Sequence, residues 1–353
     1  MYHRIKALKY LTPFILFIGA SISFNTTGWT VWINMIIAWI LVPVLELVFK
    51  PNPSNMETAE EELVKKDRFY DWILHLAVPL QYTLLYLFLV SMQEPALETW
   101  DRVGRIAVMG ILCGSFGINV AHELGHRVNR YEQTLAKFLL LTSLYMHFFI
   151  EHNKGHHTRV ATQEDPSSAR KGEWVYLFYF RTIFMGIISA WEIANNESRK
   201  KNGTALSWKN EMIQFQMIQA AFIFLIYWFF GFFVLTCFLT AALMGILLLE
   251  TVNYIEHYGL QRKQLINGRY ERAMPAHSWN SNHVVGRLML FELSRHSDHH
   301  YLASRKYQVL RHHDNAPQMP TGYPGMMLLS LIPPLWFLIM NTRIEKQIAK
   351  ATC

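Results

Sequence analysis

The sequence predicts an all-α integral membrane protein, with six transmembrane helices and a cytoplasmic, histidine-rich metal-binding domain. Three observations carry that expectation. The 353-residue chain is 52% hydrophobic and 17% charged, too apolar for a soluble enzyme of several domains. Several apolar runs approach the roughly 20 residues needed to cross about 30 Å of hydrocarbon. Nine of the sixteen histidines fall in three clusters and one further position, all on the same side of the implied membrane.

In chain order, the expected spans are residues 5–24, 29–49, 72–92, 103–121, 213–231 and 233–254. The first apolar run, Tyr10–Phe24, is short and reaches spanning length only if Ile5–Lys9 joins it with Lys6 and Lys9 snorkelling. Basic residues before it give the charge order of a signal peptide, but no small-x-small cleavage site follows, so it reads as an uncleaved first span. Between them, Asn52–Lys66 is proline-rich and then acidic, a connector expected to cap a helix near Asn55. From Ile213 to Thr251 the chain is apolar for longer than one crossing needs, with Gly231 near the middle, and two helices with a tight turn are expected. Leu135–Ile150 and Trp174–Trp191 are interrupted by polar residues and are expected at the interface rather than across it. Met326–Met340 is broken by Pro333-Pro334. The whole chain, 1–353, reads as a single membrane-embedded catalytic domain with metal-binding segments at 122–212 and 255–353.

Placing the N-terminus inside leaves the loops and turns on the outer side with one basic residue, Arg102, as the positive-inside rule requires. The net charge of +7 therefore reflects topology, and no aromatic-basic motif points to nucleic acid. Cys113, Cys237 and Cys353 form no Cys-x-x-Cys pair, which excludes a disulfide framework and a rubredoxin-type centre within this chain.

The clusters are His122-Glu-Leu-Gly-His126, His152-Asn-Lys-Gly-His156-His157 and His296-Ser-Asp-His299-His300, with His257 where the last span emerges. On a helix, residues three and four apart share a face, so each cluster presents imidazoles in one direction. In the second cluster α-helical winding puts His152 and His156 together and turns His157 by about 100°. One ion takes four to six ligands, so nine imidazoles suit two metals. The ligands alone leave iron, copper, zinc and nickel open.

Around them, Asn119, Glu123, Glu151, Asp165, Glu250, Glu256, His283 and Asp298 are candidates to bond a ligand ring, with Asp298 enclosed by the ligands themselves. His312-His313 reads as solvated. Gly110, Gly114, Gly117 and Ala121 form a small-residue stripe for helix packing. The HExxH pattern at His122–His126 also matches a zinc protease, a reading that leaves the other clusters unexplained. A metal transporter would hold its ligands near the bilayer midplane, not at helix ends.

The boxes HELGH, EHNKGHH and RHSDHH, with Asn253-Tyr-Ile-Glu-His-Tyr-Gly259, resemble the membrane-bound non-haem di-iron family of fatty acid desaturases and hydroxylases. Within it they are similar to the bacterial alkane 1-monooxygenases, with xylene monooxygenases sharing the boxes. The resemblance implies two irons held by His122, His126, His152, His156, His157, His257, His296, His299 and His300. It implies dioxygen as co-substrate and hydroxylation of the terminal methyl of medium-chain n-alkanes to primary alcohols. It also implies electrons from rubredoxin and an NAD(P)H-dependent rubredoxin reductase, in a bacterial inner membrane with the site facing the cytoplasm. Desaturation of a fatty acyl chain is the neighbouring activity. An alkane reaching the site from the bilayer would need an apolar slot, for which Trp39, Ile40, Ile111, Ile118, Ile246 and Leu249 are candidate walls. Arg127, Arg130, Lys154 and Arg159 are expected to form a basic surface for an acidic carrier.

Overall fold

The computed structural model describes residues 2–352, and the apolar runs of the sequence are its long helices. Backbone groups find no water partner in hydrocarbon, so helices are the form such runs take. Six among the described residues are long and apolar enough to cross a bilayer: α1 Arg4–Asn25, α2 Gly28–Val48, α3 Phe69–Ser91, α4 Thr99–Gly125, α5 Val175–Asn202 and α6 Glu211–His257.

The number is the expected one, reached by a different grouping. α6 counts once although it is a hairpin. Gly231 within it has φ 82° and ψ 172°, a conformation essentially confined to glycine. Phe222 and Phe238 meet edge to face with ring centroids 5.8 Å apart. Sixteen residues of straight helix would hold them ~24 Å apart. The arms therefore fold back on each other, as the two expected spans. α5 joins the set because nearly all of Trp174–Trp191, expected to be an interrupted interfacial stretch, falls in one continuous 28-residue helix that starts at Val175.

The chain divides into two compact units. One comprises Met1–Ile40, Asp67–Asn153 and Ile187–Leu249. Its most enclosed helix is α4, whose small residues admit the second arm of α6. A Cβ on Gly110 would come within 2.7 Å of the Met244 sulfur, and one on Gly245 within 2.5 Å of Cys113 Cβ. The small-residue stripe does not stay on one face, because Cys113–Ile118 is wound as a π-helix. Gly117 is thereby turned toward Ser143 and Thr142 instead. Arg105 is buried in α4 and donates at 2.8 Å to the carbonyls of Ser91 and Thr26, tying down the ends of α3 and α1.

The other unit comprises Leu41–Lys66, Lys154–Gly186 and Glu250–Cys353. The buried Glu46 carboxyl, on the last turns of α2, fits a slot that exists only because Gly286 and Gly322 lack side chains: a Cβ on either would lie within about 2 Å of it. Asn55 does not cap a helix. Its amide pairs with the backbone of His312, accepting from the N–H at 2.7 Å and donating to the carbonyl at 3.0 Å, and the helix begins at Thr58. Arg295 donates to the carbonyls of Leu310 and Ser54, fixing the connector beside the third histidine cluster. That cluster forms the short helix α7, His296–Tyr301. The prolines at 333–334 separate α8, Tyr323–Ser330, from α9, Pro333–Thr352.

Candidate metal centre

In the first unit, α4 ends in the first histidine cluster. His122 and His126 lie one turn apart with ring centroids 4.9 Å apart, and His152 closes a triad at 4.4 Å from His122 and 5.1 Å from His126. The Nε2 atoms of His126 and His152 are 3.1 Å apart. Phe148 stacks on the His152 ring at 4.7 Å and meets the His122 ring in a T-shaped contact at 6.3 Å.

In the second unit, four imidazoles form a nest. Nε2–Nε2 distances are 3.2 Å for His156–His300, 2.8 Å for His300–His296 and 3.2 Å for His296–His257. All four rings are buried. His157 and His299 make a separate pair, with Nε2 atoms 3.1 Å apart.

The winding of Glu151–His156 decides this sorting. It is a π-helix, in which residues five apart share a face. His156 therefore turns to His257 and His300 while His157 turns to His299, and the expected pairing of His152 with His156 on one face does not form. α7 keeps α-helical spacing, so His296 and His300 face the nest and His299 faces His157.

The nest fits a cation. His156 turns its Nδ1 to Asp165 Oδ2 at 2.9 Å, which leaves its Nε2 as a lone pair. The Nε2 separations of 2.8–3.2 Å lie close to the spacing of about 3.3 Å between donors placed 2.0–2.1 Å from one tetrahedral ion. Burial pushes His299 down to about 3, and burial with the neighbouring rings pushes His300 well below its ordinary value. Both rings are neutral at pH 7, as metal ligation requires. Burial alone would raise Asp165, but His156 and the Ser168 hydroxyl at 2.6 Å hold it below the usual carboxylate range.

The other candidates separate. Asp165 bonds a nest ring directly, and Glu256 Oε2 lies 3.1 Å from His296 Nε2. Glu250 is buried and accepts from Thr182 at 2.8 Å and Asn253 at 3.1 Å. Thr182 in turn meets Ser167, whose N–H donates to Asp165, so a buried chain of hydrogen bonds joins Glu250 to His156. Asp298 is engaged by groups outside the clusters. Its oxygens take Arg305 Nη1 at 2.8 Å, the Arg311 N–H at 2.8 Å and His313 Nε2 at 2.7 Å. His313 is thus a partner of that carboxylate rather than solvated, a role that its adjacency to His312 in sequence concealed. Glu123 pairs with Arg127 at 2.8 Å, and Arg127, buried between Glu123 and Asp71, is no part of a basic surface. His283 bonds Ser281. Asn119 and Glu151 are buried beside the triad's histidines in sequence. Of the proposed slot walls, Ile111, Ile118 and Leu249 are buried and Trp39 and Ile246 half-buried, while Ile40, 59% exposed, points outward.

A model of the fatty acid desaturase family matches residues 99–330, which span all nine clustered histidines. The chain belongs to the fatty acid desaturase family. Among curated relatives, this family member is 40% identical to alkane 1-monooxygenase 2 of Pseudomonas aeruginosa, over 97% of this chain and 93% of that one. It is 40% identical to alkane 1-monooxygenase of Acinetobacter baylyi over 88% of this chain and 76% of that one. The xylene/toluene monooxygenase hydroxylase component of Pseudomonas putida is 25% identical over 94% of this chain and 86% of that relative.

Proposed function

We propose that this protein is an alkane 1-monooxygenase. It inserts one oxygen atom of dioxygen into the terminal C–H bond of a medium-chain n-alkane, giving a primary alcohol and water. Its relatives' activities support the reading, and the single structural observation that carries it is the buried four-histidine nest. His156, His257, His296 and His300 would hold one iron. By the resemblance, His122, His126, His152, His157 and His299 would serve a second iron.

Iron held by these histidines would supply the oxidative chemistry on dioxygen and the terminal C–H bond. The chain's own residues supply placement. Asp165 fixes the tautomer and plane of His156, Phe148 the plane of His152, and the enclosed nest keeps bulk water away. Ile111, Ile118 and Leu249 would line the path of an alkane arriving from the bilayer of a bacterial inner membrane, with the site on the cytoplasmic side. Electrons would come one at a time from rubredoxin, recharged by an NAD(P)H-dependent reductase.

The test is metal content and product identity of the purified protein. About two irons per chain and a primary alcohol from an n-alkane, formed with a chemical reductant and dioxygen, are expected. An alkene formed from an acyl chain would move the assignment to desaturation, and a benzylic alcohol formed only from xylene would move it to the xylene-type hydroxylases.

A further inference from the structure

A groove of about 540 Å³ opens in the second unit between residues 276–279, residues 314–318 and α9. Both of its inner walls are bonded to segments that carry nest histidines. On one wall, Trp279 is buried, its N–H donating to the Glu256 carbonyl at 2.8 Å and its indole Nε1–H to the Tyr258 carbonyl at 2.9 Å. These bonds bracket His257. On the other wall, the Pro317 carbonyl accepts from the Asn280 N–H at 2.8 Å. Asn280 in turn accepts from the Ser297 N–H at 2.8 Å and donates to its hydroxyl at 2.6 Å, beside His296. The groove is thus one layer of chain away from the nest.

Its rim is cationic. Arg343 and Lys346 are exposed one turn apart on α9, and neither carries an ion pair among the described residues. The one carboxylate on the rim, Asp314, lies 3.3 Å from His312. A hollow rimmed by Arg343 and Lys346 is complementary to an acidic protein surface.

We propose that this groove is the docking site of a small acidic electron-carrier protein, with Trp279, buried in its inner wall, as the residue through which the electron passes toward His257. The proposal rests on the reading of the chain as a carrier-dependent monooxygenase. The balance is alkane, dioxygen, two electrons and two protons giving alcohol and water. Each carrier visit oxidises one reduced carrier by one electron, so two visits serve one turnover.

The experiment uses the full-length protein in detergent and a recombinant bacterial rubredoxin. Binding is measured by surface plasmon resonance at several salt concentrations for wild type, the Arg343→Glu/Lys346→Glu pair and Arg130→Glu. Iron content and melting temperature of each confirm an intact fold. Charge reversal in the groove should weaken binding about tenfold or more, flatten the salt dependence and raise the KM for rubredoxin. Unchanged affinity in that pair, or a loss confined to Arg130→Glu, would overturn the groove as the docking site. Alcohol formation by wild type with a chemical reductant reports separately on the catalytic reading. Failure there with salt-sensitive binding intact would reject the activity and not the surface.

Discussion

Asp165 shows how a single side chain sets the state of an imidazole. With its carboxylate on His156 Nδ1, the imidazole is held in one tautomer and made a better donor through its other nitrogen. Replacing it by Asn should lower iron affinity ~10–100-fold in a competitive chelator titration, and undiminished affinity would show that the bond does no such tuning. His147 behaves differently. Its ring is buried without a partner for Nε2, and burial pushes it from 6.5 down to about 4. Between these values the unfolded chain binds a proton that the native state refuses, so stability rises with pH across the window. Acidifying from pH 6.5 to 4 should cost about 3 kcal/mol through this group. The unfolding midpoint of a His147→Leu variant should be correspondingly less sensitive over that range.

At the level of elements, the hairpin in α6 depends on one residue. Gly231→Ala places a Cβ in a backbone region that only glycine tolerates, and a loss of about 1–3 kcal/mol is expected in thermal unfolding. α5 is long enough to cross the bilayer, yet parity argues against it. His156 precedes α5 and His257 follows α6, and their rings lie 4.9 Å apart, on one side of the membrane. The α6 hairpin returns the chain to the side it left, so α5 is expected to make no net crossing and to lie along the interface. In a background with Cys353 replaced by Ser, cysteines at Glu164 and Leu206 should react with an impermeant thiol reagent from the same side. Labelling from opposite sides would put α5 across the membrane.

At the scale of the molecule, the nest draws together residues 156, 257 and 296–300. A metal that binds the native nest and not the unfolded chain stabilises the fold by about 2.7 kcal/mol when it is present at 100 times its dissociation constant. Stripping iron with a chelator should therefore lower the melting temperature, and restoring iron should return it. A melting temperature indifferent to iron would mean that the nest is not closed by it.

Much of this protein was legible in its sequence, because the forces responsible act locally or through composition. Apolar length marked the helices, Gly231 marked the hairpin, and the histidine spacings marked the rings that gather. What spacing could not supply was the sorting of those rings, since it assumes a winding. A π turn at Glu151–His156 moved His156 and His157 to partners 144 and 142 residues away. The same limit hid the fate of Asp298, enclosed by histidines along the chain but taken in space by Arg305 and His313. It also hid the slot that Gly286 and Gly322 make for Glu46. The sequence by itself determined which elements form and which chemistry they carry. The tertiary structure alone decided which side chains meet, because buried polar groups settle on whichever partner packing brings within hydrogen-bonding distance.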